Sequence, residues 1–171
     1  MKTIEVKVYQ FSELDEQAKQ KAIEKLAYIN VEFDWWDGIY DDAKTIGLKI
    51  TGFDIDRGSY CNGEFLYSAA EVAQDILNNH GEPCETYKTA QNFLEKHNPI
   101  FAAYLDETSE KYETRETEDE LQEIEDEFLK SLLEDYRIIL SNEYDYLTSK
   151  KAIIETIEAN KVDFLESGKR Y

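Results

Sequence analysis

Apolar and polar positions alternate through the first eleven residues. Ile4, Val6 and Val8 fall on one side and charged residues fill the gaps, the period of a half-buried strand over 3–11. The period then lengthens: Leu14, Ala18, Ala22, Leu26 and Ile29 recur at helical spacing, predicting a helix capped by Ser12 with Asp15 in its first turn. A second helical stretch covers about 33–46, with Trp35, Trp36, Ile39, Tyr40 and Ala43, and ends at Gly47. Alternation returns over 48–56 (Leu48, Ile50, Phe53, Ile55), where Gly52 marks a bulge. Asn62-Gly63 predicts a hairpin turn within 61–64, returning through Phe65 and Tyr67. Ser68 caps a helix to about Asn79, stopped by Gly81 and Pro83, and a further helix over about 85–96 stops before Pro99.

The strongest helical pattern comes next. Leu121, Ile124, Phe128, Leu132, Tyr136, Ile139 and Leu140 repeat at three and four residues, and the pattern can run on to Leu147. Ser149 then caps a short helix with Ile153, Ile154 and Ile157, and 162–171 reads as a small terminal hairpin turning at Ser167-Gly168. The order of elements predicts an α+β fold. Its small antiparallel sheet, built from the N-terminal strand and the central hairpin, packs with several helices and is followed by the short C-terminal hairpin. A chain of 171 residues without internal repeats or a Pro/Gly linker predicts a single domain over 1–171.

Charge changes the picture most between residues 104 and 127. Twelve carboxylates there face only Lys111 and Arg115, a local charge of −10 within a whole-chain charge of −19. Such a field repels nucleic acid and anionic membrane surfaces and draws in a basic partner. The acidic part, 104–119, is expected to be a mobile segment. Two cysteines are too few for a disulfide scaffold and fit a reducing compartment. The alternating, charged start lacks the apolar core of a signal peptide, and no stretch approaches the ~20 apolar residues of a membrane span. A soluble cytoplasmic protein is expected.

Three groups of residues invite chemical readings. Asp34, Asp37 and Asp41, with Asp42 beside them, would lie near one helix face and could hold a hard cation such as magnesium, but an acidic first turn and a solvated face explain them more simply. Cys61, His80, Cys84 and His97 include every soft metal ligand apart from Met1. With no C-x2-C or H-x3-H pair among them, zinc and a thiol nucleophile are both poorly supported. Residues 57–65 carry two glycines but lack the spacing and lysine of a phosphate loop, and read instead as a hairpin connection exposing Arg57, Tyr60 and Glu64. No catalytic residue, metal or cofactor is therefore assigned. A metal-dependent enzyme built on the four aspartates stands as an alternative.

Residues 11–25 (FSELDEQAKQKAIEK), 34–50 (DWWDGIYDDAKTIGLKI) and 56–65 (DRGSYCNGEF), together with 125–146 and 152–164, resemble a family of small acidic bacteriophage and prophage proteins often labelled antitoxin-like. That family shares an opening strand, an F-x-E-L helix start and a Trp-containing helix running into a G-L-K-I strand. The likeness spans most of the chain but rests on core and turn residues, so no catalytic role is carried over. It implies a protein of the infected bacterial cytoplasm that binds and disables a host machine, with an anti-CRISPR protein as the specific form. A neutralising partner of a small toxin is the alternative it leaves.

The expected partner is a basic host protein, a CRISPR effector or another defence nuclease, DNA- or RNA-targeting. Direct nucleic-acid binding and membrane binding are not expected. The long helix commits its apolar stripe to the core, so its carboxylates would form a fixed array able to occupy a groove built for a phosphate backbone, either occluding the effector or trapping it in an unproductive RNA-bound state. A solvated face that merely keeps the protein soluble is the plainer reading. The candidate partner-binding residues are Asp106, Glu107, Glu110, Glu113, Glu116, Glu118, Asp119, Glu120, Glu123 and Asp126, with Trp35, Tyr40 and Tyr60 as aromatic anchors at the edge.

Overall fold

The computed structural model describes residues 5–171. Among them it shows an α+β protein with six α-helices and one two-stranded antiparallel sheet. Thr3 and Ile4 of the expected first strand lie outside the described residues. The chain groups into two compact units: the residues up to Trp35 with Asn142–Tyr171, and Trp36–Ser141.

In the first unit a 3-10 turn, Phe11–Glu13, precedes α1 (Glu16–Lys25). Asp15, not Ser12, caps α1, accepting from the Ala18 N–H at 2.7 Å. The correction has a local cause: Gln10 and Glu13 already close a capping box around the 3-10 turn, which delays the helix by one turn. Ser149 caps α6 (Lys150–Ala159) as expected. Phe11, Leu14, Ala18, Ala22 and Ile23 pack with Ile153, Ile157, Val162 and Phe164 into one buried cluster.

The described part of the N-terminal segment does not join the hairpin sheet. Tyr9 instead exchanges two backbone hydrogen bonds with Phe164, at 2.8 and 2.9 Å, and no strand extends from that bridge. Val6 and Val8, expected on a buried face, are exposed. Phe164 also bridges Arg170 across the predicted turn at Ser167-Gly168. Gly168 has φ +80°, and a Cβ there would lie 2.1 Å from the Ala18 carbonyl oxygen. Backbone conformation and a main-chain neighbour both demand glycine. Gly168→Ala is expected to cost at least about 2 kcal/mol in urea denaturation; an unchanged midpoint would contradict this packing.

The second unit holds α2 (Asp37–Thr45), β1 (Leu48–Asp54), β2 (Tyr60–Phe65), α3 (Ala69–Asn79), α4 (Glu85–Leu105) and most of α5 (Arg115–Leu147). Ser68 caps α3 in a full capping box. The strands pair from Leu48 with Phe65 to Asp54 with Tyr60, and the register slips between Ile50 and Gly52, the bulge that Gly52 marks. The hairpin turns at residues 55–59, where Gly58 has φ +81°, so the expected turn within 61–64 is corrected. Asn62-Gly63 lies inside β2. Gly63 is needed there for closeness, since a Cβ would come within 2.7 Å of the Lys49 carbonyl and 2.9 Å of a Leu133 methyl.

α4 runs through Pro99 to Leu105 instead of stopping before it. The proline removes one hydrogen bond from the helix, but Phe93 and His97 are buried before it, and beyond it the Tyr104 hydroxyl donates to Glu118 of α5 at 2.7 Å. Phe93 stacks on Phe128 of α5, with centroids 4.3 Å apart, and on the other side Phe128 meets Phe65 of β2 at 5.3 Å. Leu121, Phe128, Leu132, Tyr136 and Leu140 form the buried stripe of α5, whereas Ile124 is half-buried and Ile139, expected on the stripe, is exposed. No helix among the described residues is long and apolar enough to cross a membrane.

Candidate functional site

The acidic segment divides into a turn-rich connection, 106–114, and the start of α5. Asp106 closes the end of α4 by accepting from the Thr108 N–H at 2.9 Å and its hydroxyl at 2.7 Å. The Thr108 contacts hold its carboxyl below the ordinary value of 3.8. Glu113 takes φ 47° and donates its N–H to the Tyr104 carbonyl at 3.1 Å, which ties the connection to α4. Thr114 begins α5, its hydroxyl accepting from the Thr117 N–H at 3.3 Å.

From there helical spacing sorts the carboxylates. Those on the flanks of the buried stripe have partners: Tyr104 donates to Glu118 at 2.7 Å, Lys111 meets Glu120 at 3.0 Å, and Lys96 stands 3.8 Å from Glu127. His97 lies 3.6 Å from Glu125. Glu116, Asp119, Glu123 and Asp126 recur at three and four residues and form a row on the outer face. All four are exposed, and none has an ion-pair partner among the described residues. A rise of 1.5 Å per residue spreads the row over about 15 Å. The eight carboxylates of 116–127 then come at about one per 2 Å, close to the one charge per ~1.7 Å of a DNA duplex.

This row works against the helix that carries it. Like charges three and four residues apart destabilise a helix. The favourable N-terminal end of the helix dipole reaches Glu116 but falls off before Asp119, Glu123 and Asp126.

The aromatic residues expected at the edge separate. Trp35 belongs to the first unit, half-buried against Tyr144 at 5.6 Å. Tyr40 is half-buried against Phe53. Only Tyr60 is exposed and shares a surface groove with Asp126, Leu129 and Lys130, between β2 and α5. Sequence reasoning missed Phe101, Leu105 and Tyr112, which stand exposed around the junction of α4 with the acidic connection. The signal for Phe101 and Leu105 was the i, i+4 ladder Phe93, His97, Phe101, Leu105, which a helix ended at Pro99 cuts in half.

The chain matches no family model, no curated protein and no solved structure.

Residues considered for metal or thiol chemistry are not brought together. No group of three His, Cys, Asp or Glu placed to hold an ion occurs among the described residues. Asp34 precedes α2 and belongs to the first unit, so the four aspartates do not share one helix face. Cys61 is buried in β2, where burial pushes its thiol up to about 11, so it is not a nucleophile at neutral pH. Cys84 is exposed at the N-cap of α4, and His97 stacks between Phe93 and Phe101.

Asp42 and His80 instead join a polar cluster in the second unit. The buried Tyr136 hydroxyl donates to Asp42 at 2.8 Å, His80 Nε2 stands 3.6 Å from the same carboxylate, and His80 Nδ1 meets the buried Thr86 hydroxyl at 2.7 Å. The cluster links α2, the end of α3, α4 and α5. The His80 imidazole first, and the Tyr136 hydroxyl with it, hold the Asp42 carboxyl below 3.8 against the burial that pushes it up. A carboxyl depressed in the fold stabilises it fully above its unfolded pKa and loses that contribution as pH falls through the folded one. The Tm gap between the parent and Asp42→Asn should therefore be widest near neutrality and shrink below about pH 3.8. A gap that stays constant from pH 7 to pH 2.5 would contradict this account.

Proposed function

We propose that this protein acts by binding, not by catalysis, and that it places the outer face of α5 and the 106–114 connection in the basic nucleic-acid groove of a protein partner. One observation carries the reading: four exposed carboxylates with no ion-pair partner among the described residues, about one per 5 Å along the outer face of a helix anchored by its opposite face, within a segment whose eight carboxylates together come at about one per 2 Å. The favourable term comes from the partner's Lys and Arg, and the first effect is occlusion. The resemblance to acidic phage proteins narrows the partner to a defence nuclease of the infected bacterial cytoplasm, with a CRISPR effector, DNA- or RNA-targeting, as the leading form. The protein itself contacts neither nucleic acid nor membrane and uses no cofactor.

The test is a tagged pull-down from bacterial lysate with and without nuclease digestion, followed by an activity assay on the recovered protein. A basic nuclease captured near one-to-one, more strongly after its nucleic acid is digested, and inhibited on binding supports the proposal. Rescue of cells from one small toxin by co-expression, with no nuclease captured, would replace it with the antitoxin reading.

A further inference from the structure

The inner stripe of α4 overruns its core. Phe93, His97, Phe101 and Leu105 form one ladder at four-residue steps, yet their exposures are 4%, 4%, 42% and 57%. Each such step turns about 40° around the helix, so the ladder winds off the α5 side as it proceeds. The ring stack continues along it, Phe93 to His97 at 5.0 Å and His97 to Phe101 at 5.3 Å, and ends in solvent. Ala102 is exposed beside Phe101 and Leu105. Tyr112 is exposed in the connection, next to the Glu113 N–H that binds the Tyr104 carbonyl at 3.1 Å. The result is an apolar end on α4 bordered along the chain by Asp106, Glu107, Glu110 and Glu113, all exposed.

Resting on the binding proposal above, we infer that this end of α4 is the apolar anchor of the same interface, and that it seats in an apolar pocket ringed by Lys and Arg on the partner. The charge around it decides the occupant. An exposed Phe and Leu favour any apolar surface, but the four carboxylates bordering them reject an acidic or uncharged one and reward a basic rim. Anchors of this kind bring most of the affinity of an interface, while the charged rim steers and selects.

The experiment titrates the intact protein with three short probe peptides and follows binding by calorimetry. The first is helical with leucines on one face and lysines on its flanks, the second is oligolysine of equal charge, and the third is the helical peptide with glutamate for lysine. The leucine–lysine peptide should bind about tenfold more tightly than oligolysine. Phe101→Ser with Leu105→Ser should erase that difference, leave oligolysine affinity unchanged and leave the circular dichroism spectrum intact. Leu105→Ser alone should erase part of it. Equal affinity for the two lysine peptides, or a preference that survives the double variant, would overturn the anchor while sparing the acidic face. No affinity for either lysine peptide would overturn the binding proposal itself. Comparable binding of the glutamate peptide, or a dimer of the free protein in sedimentation that the double variant disperses, would also overturn the anchor, by showing another occupant.

Discussion

Changing Glu116, Asp119, Glu123 and Asp126 together to their amides will weaken binding to a basic partner and strengthen the fold. Each exposed charge contributes on the order of 0.5–1 kcal/mol to such an interface, so four lost together lower affinity by about 10²-fold at low salt. The same change removes six like-charge pairs at three- and four-residue spacing on α5 and two unlike-charge ones (Arg115 with Asp119, Asp126 with Lys130), each worth about 0.2–0.5 kcal/mol, and stability should rise by about 1 kcal/mol. Calorimetric titration reads the first effect and thermal unfolding the second. The opposition of the two signs is informative, because carboxylates that hold the helix together would move both readings the same way. Unchanged affinity of the fourfold variant would end the mimicry mechanism.

Phe128→Ala carries the largest expected loss of stability, about 3–5 kcal/mol. Phe128 is 3% exposed, lies nearly parallel to Phe93 at 4.3 Å and meets Phe65 at 5.3 Å, so one ring joins α4, α5 and β2. Its removal leaves a cavity at the place where α5 is held against the rest of the second unit. Binding should fall with it even though no carboxylate is touched, because the row then loses its fixed support. Urea denaturation showing a loss below about 1 kcal/mol would mean that the ring cluster does not position α5.

Much of this was legible in periodicity. The buried stripe of α5, the Ser68 and Ser149 caps and the bulge at Gly52 follow from local pattern, and in each case tertiary packing agrees with it. The misreadings share a cause, a local signal outweighed by a contact the sequence does not display. Asn62-Gly63 has the chemistry of a tight turn, yet Gly63 is spent on closeness to Lys49 and Leu133 while Gly58 makes the turn. Pro99 has the chemistry of a helix stop, yet α4 continues with flanking turns intact. The N-terminal alternation is that of a strand, but a strand needs a neighbour, and among the described residues that segment makes a single bridge, Tyr9 to Phe164. For the candidate site, the carboxylates of α5 were legible because charge and helical period are both written in the chain. The apolar end of α4 was not, because it depended on the helix passing the proline.

The central claim is that the acidic row occupies a groove meant for nucleic acid. It is tested most directly by competition: affinity for the captured partner, measured with and without that partner's target nucleic acid, over a series of salt concentrations. The account predicts mutual exclusion, with affinity that falls steadily as salt rises. A ternary complex formed with the target nucleic acid still bound, at an affinity indifferent to salt, would contradict it.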